Sequence, residues 1–360
     1  MKSSRDSFQV LFLITIAILI FIAFSGFSPS VMVHSQLTSN DSAKNNNKIT
    51  NFVDSINNKN GSIANSSSGT KIVMINFDDG WKTQMTFAKP ILDKYGIKAS
   101  FFVVCNYVTS GDAKRMNWQD IAALQRDGMD IESHTMDHKP LNKMSLAKLD
   151  SEVGGSKQCL ANHGVNTTIF GYPFNLGSDK PSVVNVVAKY YNLGRSGTDP
   201  LMFLNCNGYL NHPQTDCSTY SANGKLNYVN RYNIRSASFY HVSGRQNFSP
   251  PEMFQKFLQI LNSQIAYNSQ GKINAIPVVV YHNITNNIQD YTPASKASVT
   301  TVDLFAQEMK YLHDNGFKVL LLNRLGFDTT KNVFYLNNTS GFTTAPTTST
   351  RATTMTGLGQ

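Results

Sequence analysis

Lys71-Ile72-Val73-Met74-Ile75-Asn76-Phe77-Asp78-Asp79-Gly80 is an apolar, β-branched run that stops on two carboxylates and a glycine. Its length and composition are those of a buried strand. Behind it, Phe87, Ile91, Leu92 and Tyr95 fall at helical spacing until Gly96 stops the helix. One strand followed by one helix makes a β-α unit, and the unit recurs. Residues 98–105 read as a strand, 118–128 as a helix, 129–133 as a strand and 146–163 as a helix. Strands follow at 168–172 and 192–195, then a less regular cysteine-containing stretch and a strand near 232–239. Ser249-Pro250-Pro251-Glu252 is a capping box with proline at the first helical position, and it opens a helix to about residue 268. An apolar strand at 275–281, a helix at 302–315 closed by Gly316, and a strand at 317–322 complete the series. Such alternation predicts an α/β architecture, a distorted parallel (β/α) barrel of seven or eight strands over residues 70–327.

The flanks do not share this periodicity. Lys2 and Arg5 precede an apolar run from Phe8 to Phe24, broken only by Gln9 and Thr15, so residues 1–35 read as a signal peptide or an N-terminal membrane anchor. Either one exports the rest of the chain, to the medium or to the extracellular face of the membrane. Residues 36–69 are rich in Asn and Ser, with Asn40, Asn60 and Asn65 in glycosylation sequons, and read as a disordered linker. Residues 328–360 read as a Ser/Thr-rich tail.

The chain of 360 residues carries a net charge of +9, but its bases are dispersed and no nucleic-acid motif is present, so no nucleic-acid partner is expected. Four cysteines in an exported chain permit disulfides. Cys206 and Cys217 bracket a loop and are the expected pair, while Cys105 at a strand end reads as a buried thiol.

The polar groups collect at strand ends. Asp78 and Asp79, His134 and His138, Pro173 and Phe174, and His282 each follow a strand, and in a parallel barrel those ends share one face. One Asp with two His forms a three-ligand, zinc-type site with an open position, and a second Asp beside it is free to deprotonate water there. His134 and His138 also have the i, i+4 spacing of a helical metal pair. The alternation of Met129, Ile131 and Ser133 before them and Pro140 after them place them on a strand end and loop instead.

Phe77-Asp78-Asp79-Gly80 together with Ser133-His134-Thr135-Met136-Asp137-His138 resembles the polysaccharide deacetylase family, also called the NodB-homology or carbohydrate esterase 4 family. The resemblance covers roughly residues 71–325. It implies Asp78 as catalytic base and Asp79, His134 and His138 as ligands of a divalent metal, with Zn²⁺ expected and Co²⁺, Mn²⁺ or Ni²⁺ also suited to the donors. The family's third motif, Arg-x-Pro-Tyr, is replaced by Gly171-Tyr172-Pro173-Phe174. The Phe174 backbone N–H keeps the oxyanion role, which needs no particular side chain. The motif's arginine is missing; Arg235 is the expected substitute orienting Asp78, with Arg195 as the second choice. The Asp-Trp element of the fourth motif is not visible. Residues 276–282 resemble the fifth motif, whose His282 is the general acid. Their position late in the chain implies a circular permutation, since some family members carry this segment before the Asp-Asp-Gly strand.

These readings converge on metal-dependent removal of N-acetyl groups from an extracellular N-acetylated polysaccharide. Two alternatives stay open, a deacylase or amidase acting on another C–N bond and a catalytically impaired glycan-binding module. Trp81 and Tyr172 serve equally well as sugar-stacking or as packing aromatics.

Overall fold

The computed structural model describes residues 70–197, 199–204, 231–238, 242–243, 246–247, 249–268, 271–286, 298–331 and 333–337. The N-terminal apolar segment, the linker, the end of the tail and the Cys206/Cys217 pair lie outside them. Among the described residues no helix is long and apolar enough to cross a membrane.

Strand β1 (Ile72–Asp78) is buried along its whole length, as its uninterrupted apolar run requires. It pairs in parallel with β2 (Ser100–Val103), and β3 (Asp130–Ser133), β4 (Ile169–Gly171) and β5 (Leu193–Arg195) follow in order. After an antiparallel strand β6 (Leu201–Phe203), the chain returns beside β5. Ile234 donates its N–H to Gly194 O at 2.8 Å and accepts from Ser196 N at 2.9 Å. Strand β7 (Ala237–Ser238) then pairs in parallel with β8 (Ala275–Tyr281), and β8 pairs in parallel with β1. The ring is closed. β8 thus sits next to β1 although it lies about 200 residues later, as the pairing of first and last strands in a barrel requires.

The last expected strand does not join the ring as an eighth stave. β9 (Lys318–Leu320) pairs with Ile72–Met74, the part of β1 that β2 does not reach, and Leu322 donates its N–H to Ser100 Oγ at 2.9 Å. β2 and β9 thus share one edge of β1, which departs from a regular barrel. The chain then continues into a hairpin of Leu325–Asp328 and Val333–Leu336, whose Leu325 and Phe334 join the apolar cluster of Ile72, Met74 and Val278. Described residues past 327 thus pack with the barrel, Phe334 among them being buried.

The odd positions of β1 (Val73, Ile75, Phe77) face the helices, and the even ones face the lumen, as strand alternation dictates. Phe77 stacks on Phe101 at 4.8 Å and meets Tyr281 and Phe305 at 5.7 Å each, pairs worth about 0.5–1.5 kcal/mol apiece beyond their buried area. The expected first helix is a composite. Gln84–Ala88 forms a π-type turn before α1 (Lys89–Lys94), because Lys89 donates to Gln84 O and Pro90 has no N–H to continue an ordinary ladder. The helices α2 (Cys105–Thr109), α3 (Trp118–Arg126), α4 (Leu146–Asn162), α5 (Pro181–Tyr190), α6 (Pro250–Ser263) and α7 (Val302–Asp314) cover the outside. Ser249 and Glu252 make the expected reciprocal cap of α6.

Cys105 is not a free thiol. It is disulfide-bonded to Cys159, with the Cα atoms 6.5 Å apart, which ties the start of α2 to α4. Closing a loop of 54 residues contributes on the order of 2–4 kcal/mol.

One buried acid stands apart from the rim. Glu308 of α7 is fully buried, accepts from Tyr281 Oη at 2.7 Å, and its second oxygen has no partner among the described residues. Burial pushes its carboxyl well above the usual glutamate value. The folded chain thus holds a proton that the unfolded chain releases, so this group's contribution to stability is most favourable below about pH 4.5 and falls as the pH rises toward the folded value. Glu308→Gln is expected to raise the Tm near neutral pH and to lose that advantage near pH 4, followed by thermal melts across a pH series. A gain independent of pH would contradict this account.

Candidate active site

The carboxyl ends of β1, β3, β5 and β8 bring the chemistry to one rim. Asp78, the last residue of β1, is buried, and Arg195 Nη2 donates to its two oxygens at 2.7 and 2.8 Å. Burial pushes the Asp78 carboxyl up, but the Arg195 guanidinium, with His134 and His282, outweighs this and holds it below the usual range. Asp78 is an anion inside the barrel. Arg195 is itself buried, lies over the Phe102 ring at 4.2 Å and donates from Nη1 to Ser236 Oγ at 3.2 Å, which in turn donates to Ser196 O.

Arg235, the expected partner of Asp78, is elsewhere: its Nη1 meets Asp199 Oδ2 at 3.1 Å. The reason is strand alternation. Ile234 and Ser236 are buried toward the barrel, so Arg235 between them faces away. Arg195 is instead the cross-strand neighbour of Gly171, the position where the third motif carries its arginine.

Asp79 follows in the left-handed region at φ 73°, which an aspartate tolerates better than most residues. The turn swings its carboxylate toward the histidines. Oδ1 lies 3.1 Å from His138 Nε2 and 3.6 Å from His134 Nε2, while Oδ2 accepts from Trp81 Nε1 at 3.2 Å. Burial raises this carboxyl and the neighbouring His138 lowers it further, leaving it strongly acidic.

His134 Nδ1 is 2.8 Å from Gly171 O, a contact that requires N–H at Nδ1 and leaves the lone pair on Nε2. Burial drives its pKa down to about 4, so the ring is neutral at ordinary pH. Thr135 (φ 73°) and His138 (φ 55°) bend the following loop, and Thr135 Oγ1 accepts from His138 N at 2.9 Å. Glu152 of α4 holds Asp137 N at 2.9 Å, and the N–H groups of Cys105 and Asn106 hold Thr135 O and Met136 O. The disulfide joins the two helices that grip this loop.

Asp79, His134 and His138 each offer one atom, all within 4.8 Å of one another. The donors fit a divalent cation. Asp79 Oδ1 is buried without hydrogen-bond geometry to any described group, and the His134 tautomer is fixed by its carbonyl partner in the manner of metal-ligating histidines. Three protein ligands leave a further coordination position open.

His282 follows β8, with Nε2 4.0 Å from Asp78 Oδ2. Phe174 sits at φ 57° in the turn Pro173–Asn175, its ring exposed and packed on His138 at 4.6 Å between centroids. Tyr172 is buried against Phe170, so it is a packing aromatic and not a rim residue. Trp81 is at the site and lies against the Arg115 guanidinium at 3.7 Å, while Arg115 Nη1 donates to Asp79 O at 3.0 Å. The sequence gives no sign of Arg115, which arrives on an irregular loop.

The match to known proteins includes Asp78, Asp79, His134, His138 and Phe174 and ends before Arg195 and His282. Residues 65–191 match the family model for polysaccharide deacetylase. "Putative polysaccharide deacetylase YxkH" of Bacillus subtilis (strain 168) is 36% identical over 104 residues, 29% of this chain and 37% of that protein. The "Bifunctional xylanase/deacetylase" of Pseudobutyrivibrio xylanivorans is 25% identical over 105 residues, 29% of this chain and 17% of that protein. The chain therefore spans well under half the length of these curated relatives. Among solved structures, the Xyl-CE4 domain of a multidomain xylanase from the hindgut metagenome of Trinervitermes trinervoides aligns at a TM-score of 0.43 and 16% identity, covering 71% of this chain and 88% of that one.

The two arginines separate by their burial. Arg195→Met strands a buried carboxylate and is expected to cost about 3–5 kcal/mol of stability, whereas Arg235→Met, at a partly exposed pair, costs about 1 kcal/mol or less. Urea unfolding of both variants checks this, and equal losses would remove the special standing given to Arg195.

Proposed function

Because residues 65–191 carry the polysaccharide deacetylase signature, we propose that the chain hydrolyses N-acetyl groups of an N-acetylated polysaccharide outside the cell in a metal-dependent reaction. The observation that carries the reading is the pairing of two differently committed carboxylates. Asp79 is turned toward two imidazoles, and Asp78, next in the chain, is kept ionised by Arg195 within 3.8 Å of His134 Nε2. A binding module has no use for the second one.

A divalent ion held by Asp79 Oδ1, His134 Nε2 and His138 Nε2, with zinc the best match to one carboxylate and two imidazoles, would supply Lewis acidity to the acetamide oxygen and acidify water at the open position. Asp78 accepts the proton of the attacking water, and its lowered pKa keeps it unprotonated for that task. The Phe174 backbone N–H, presented by the left-handed turn, donates to the oxygen on which negative charge develops. His282 delivers a proton to the departing nitrogen. Water is consumed, and acetate and a free amino sugar leave. The Cys105–Cys159 disulfide supports an oxidising compartment, in keeping with the apolar N-terminal segment.

Acetate release from N-acetylated oligosaccharides and cell-wall glycans tests the proposal. Release is expected to stop with chelator and return with Zn²⁺. Asp78→Asn is expected to lower kcat by about 10²–10⁴-fold while bound metal is unchanged. Arg235→Ala is expected to stay within about twofold of wild type, as fits a side chain bound to Asp199. Release that persists in Asp78→Asn, or that ignores chelator, would overturn the mechanism.

A further inference from the structure

The β1–β8 ladder ends at the pair Phe77 and Tyr281. The next residue on each strand is Asp78 on β1 and His282 after β8, the proton acceptor and proton donor of the proposed reaction. Beyond the last rung both carbonyls are met by a single side chain. Gln84 Nε2 donates to Asp78 O at 2.6 Å and to His282 O at 3.0 Å. A primary amide nitrogen carries two hydrogens in a fixed plane, which is what two converging carbonyls require. Gln84 is fully buried, so its bond to Asp78 O forms away from competing water, while the bond to His282 O is partly buried.

Gln84 reaches this point because the chain folds back sharply after Gly80. Gln84 N donates to Trp81 O at 3.0 Å, and the residue opens the π-type turn that distinguishes the first helix. The neighbouring Thr83 Oγ1 donates to Asn283 Oδ1 at 2.6 Å, a second stitch between the same two segments. The turn is therefore fastened to the end of β8 by consecutive residues.

We infer that Gln84 is a positioning residue: its amide adds one rung beyond the sheet and sets the spacing of Asp78 and His282 on their two strands. This rests on the roles given above to Asp78 and His282. Their side chains stand 4.0 Å apart between Oδ2 and Nε2, and that spacing depends on how the two strand ends are held. The described hydrogen bonds of the Gln84 side chain go to the residues that hold Asp78 and His282 and not to Asp79, His134 or His138, so the inference concerns proton transfer and not metal retention. A carboxylate at this position would point oxygen at two carbonyl oxygens, and an apolar side chain would leave both carbonyls buried and unpaired.

The test is Gln84→Met, with Gln84→Glu as the variant of unchanged size should the first not fold. Either is expected to lower kcat by about 10²-fold, with KM and bound metal within about twofold of wild type. In the His282→Ala background the same substitution is expected to cost less than about threefold, since alignment to an absent imidazole is worth nothing. Equal losses in both backgrounds, or a fall in Tm with kcat unchanged, would overturn the inference. Crystal structures of wild type and variant decide it independently of activity. A change of about 1 Å in the Asp78 to His282 spacing supports it, and an unchanged spacing overturns it, even if wild type releases no acetate from any glycan and the deacetylase reading itself fails.

Discussion

A carboxylate removed from water inside a barrel needs a counter-charge, and the reach of Arg195 to Asp78 is the contact around which the rim is arranged. β1 and β5 are not neighbours. On one side β2, β3 and β4 separate them, and on the other Ile234 with β7 and β8. The ion pair therefore crosses the lumen, between strands that the curl of the sheet brings face to face. Desolvating each ion costs several kcal/mol, which two short bonds to Asp78, the Ser236 hydroxyl and the Phe102 face offset. What the pair supplies above all is geometry. It holds an ionised oxygen at a fixed place beside the imidazoles, where a solvated aspartate would wander.

The same economy of position governs the candidate metal ligands. Asp79, Thr135 and His138 all have positive φ, a conformation costing about 1–2 kcal/mol for a residue with a Cβ. With Phe174 they make four such residues within one site and mark stored strain, which persists only where neighbours over-determine it. Here the neighbours are identifiable. α2 supplies two backbone donors to the loop, α4 supplies Glu152, and Thr135 caps His138 from within. The Cys105–Cys159 link then makes α2 and α4 one body. Strain at the ligands and rigidity behind them are two halves of one device.

Much of this was legible from residue order, and the failures have physical causes. Long buried strands such as Ile72–Asp78 and Ala275–Tyr281 announce themselves by composition, and strand ends in a parallel barrel must share a face, so Asp78, Asp79, His134, His138 and His282 could be collected without coordinates. The choice between Arg195 and Arg235 could not be made. β5 has only the residues Leu193–Arg195, too short for alternation to reveal which side is inward, and Ile234 contributes a lone bridge. The disulfide was hidden for a different reason. Cys105 and Cys159 are separated by 54 residues and meet through the packing of α2 on α4, which spacing does not encode. Gln84 is polar, sits at the start of a helix and looks solvated; only the ends of two distant strands give it a purpose.

Gly171 shows why a missing motif residue need not be a missing function. A Cβ built there would lie 2.7 Å from the Phe102 ring, 2.9 Å from His134 Nδ1 and 3.1 Å from Arg195 Nη2. No side chain fits, because the guanidinium of the registered neighbour and the His134 imidazole already fill the space. An arginine at 171 would also bring a second cation against Arg195 in a buried site, with one carboxylate, Asp78, to share between them. Glycine at 171 and arginine at 195 are thus a single solution: two adjacent strands in register offer the same point in the lumen, and the chain delivers its charge from the fifth strand instead of the fourth. What the proposed chemistry requires is a guanidinium at that point, and the strand it comes from is free to vary.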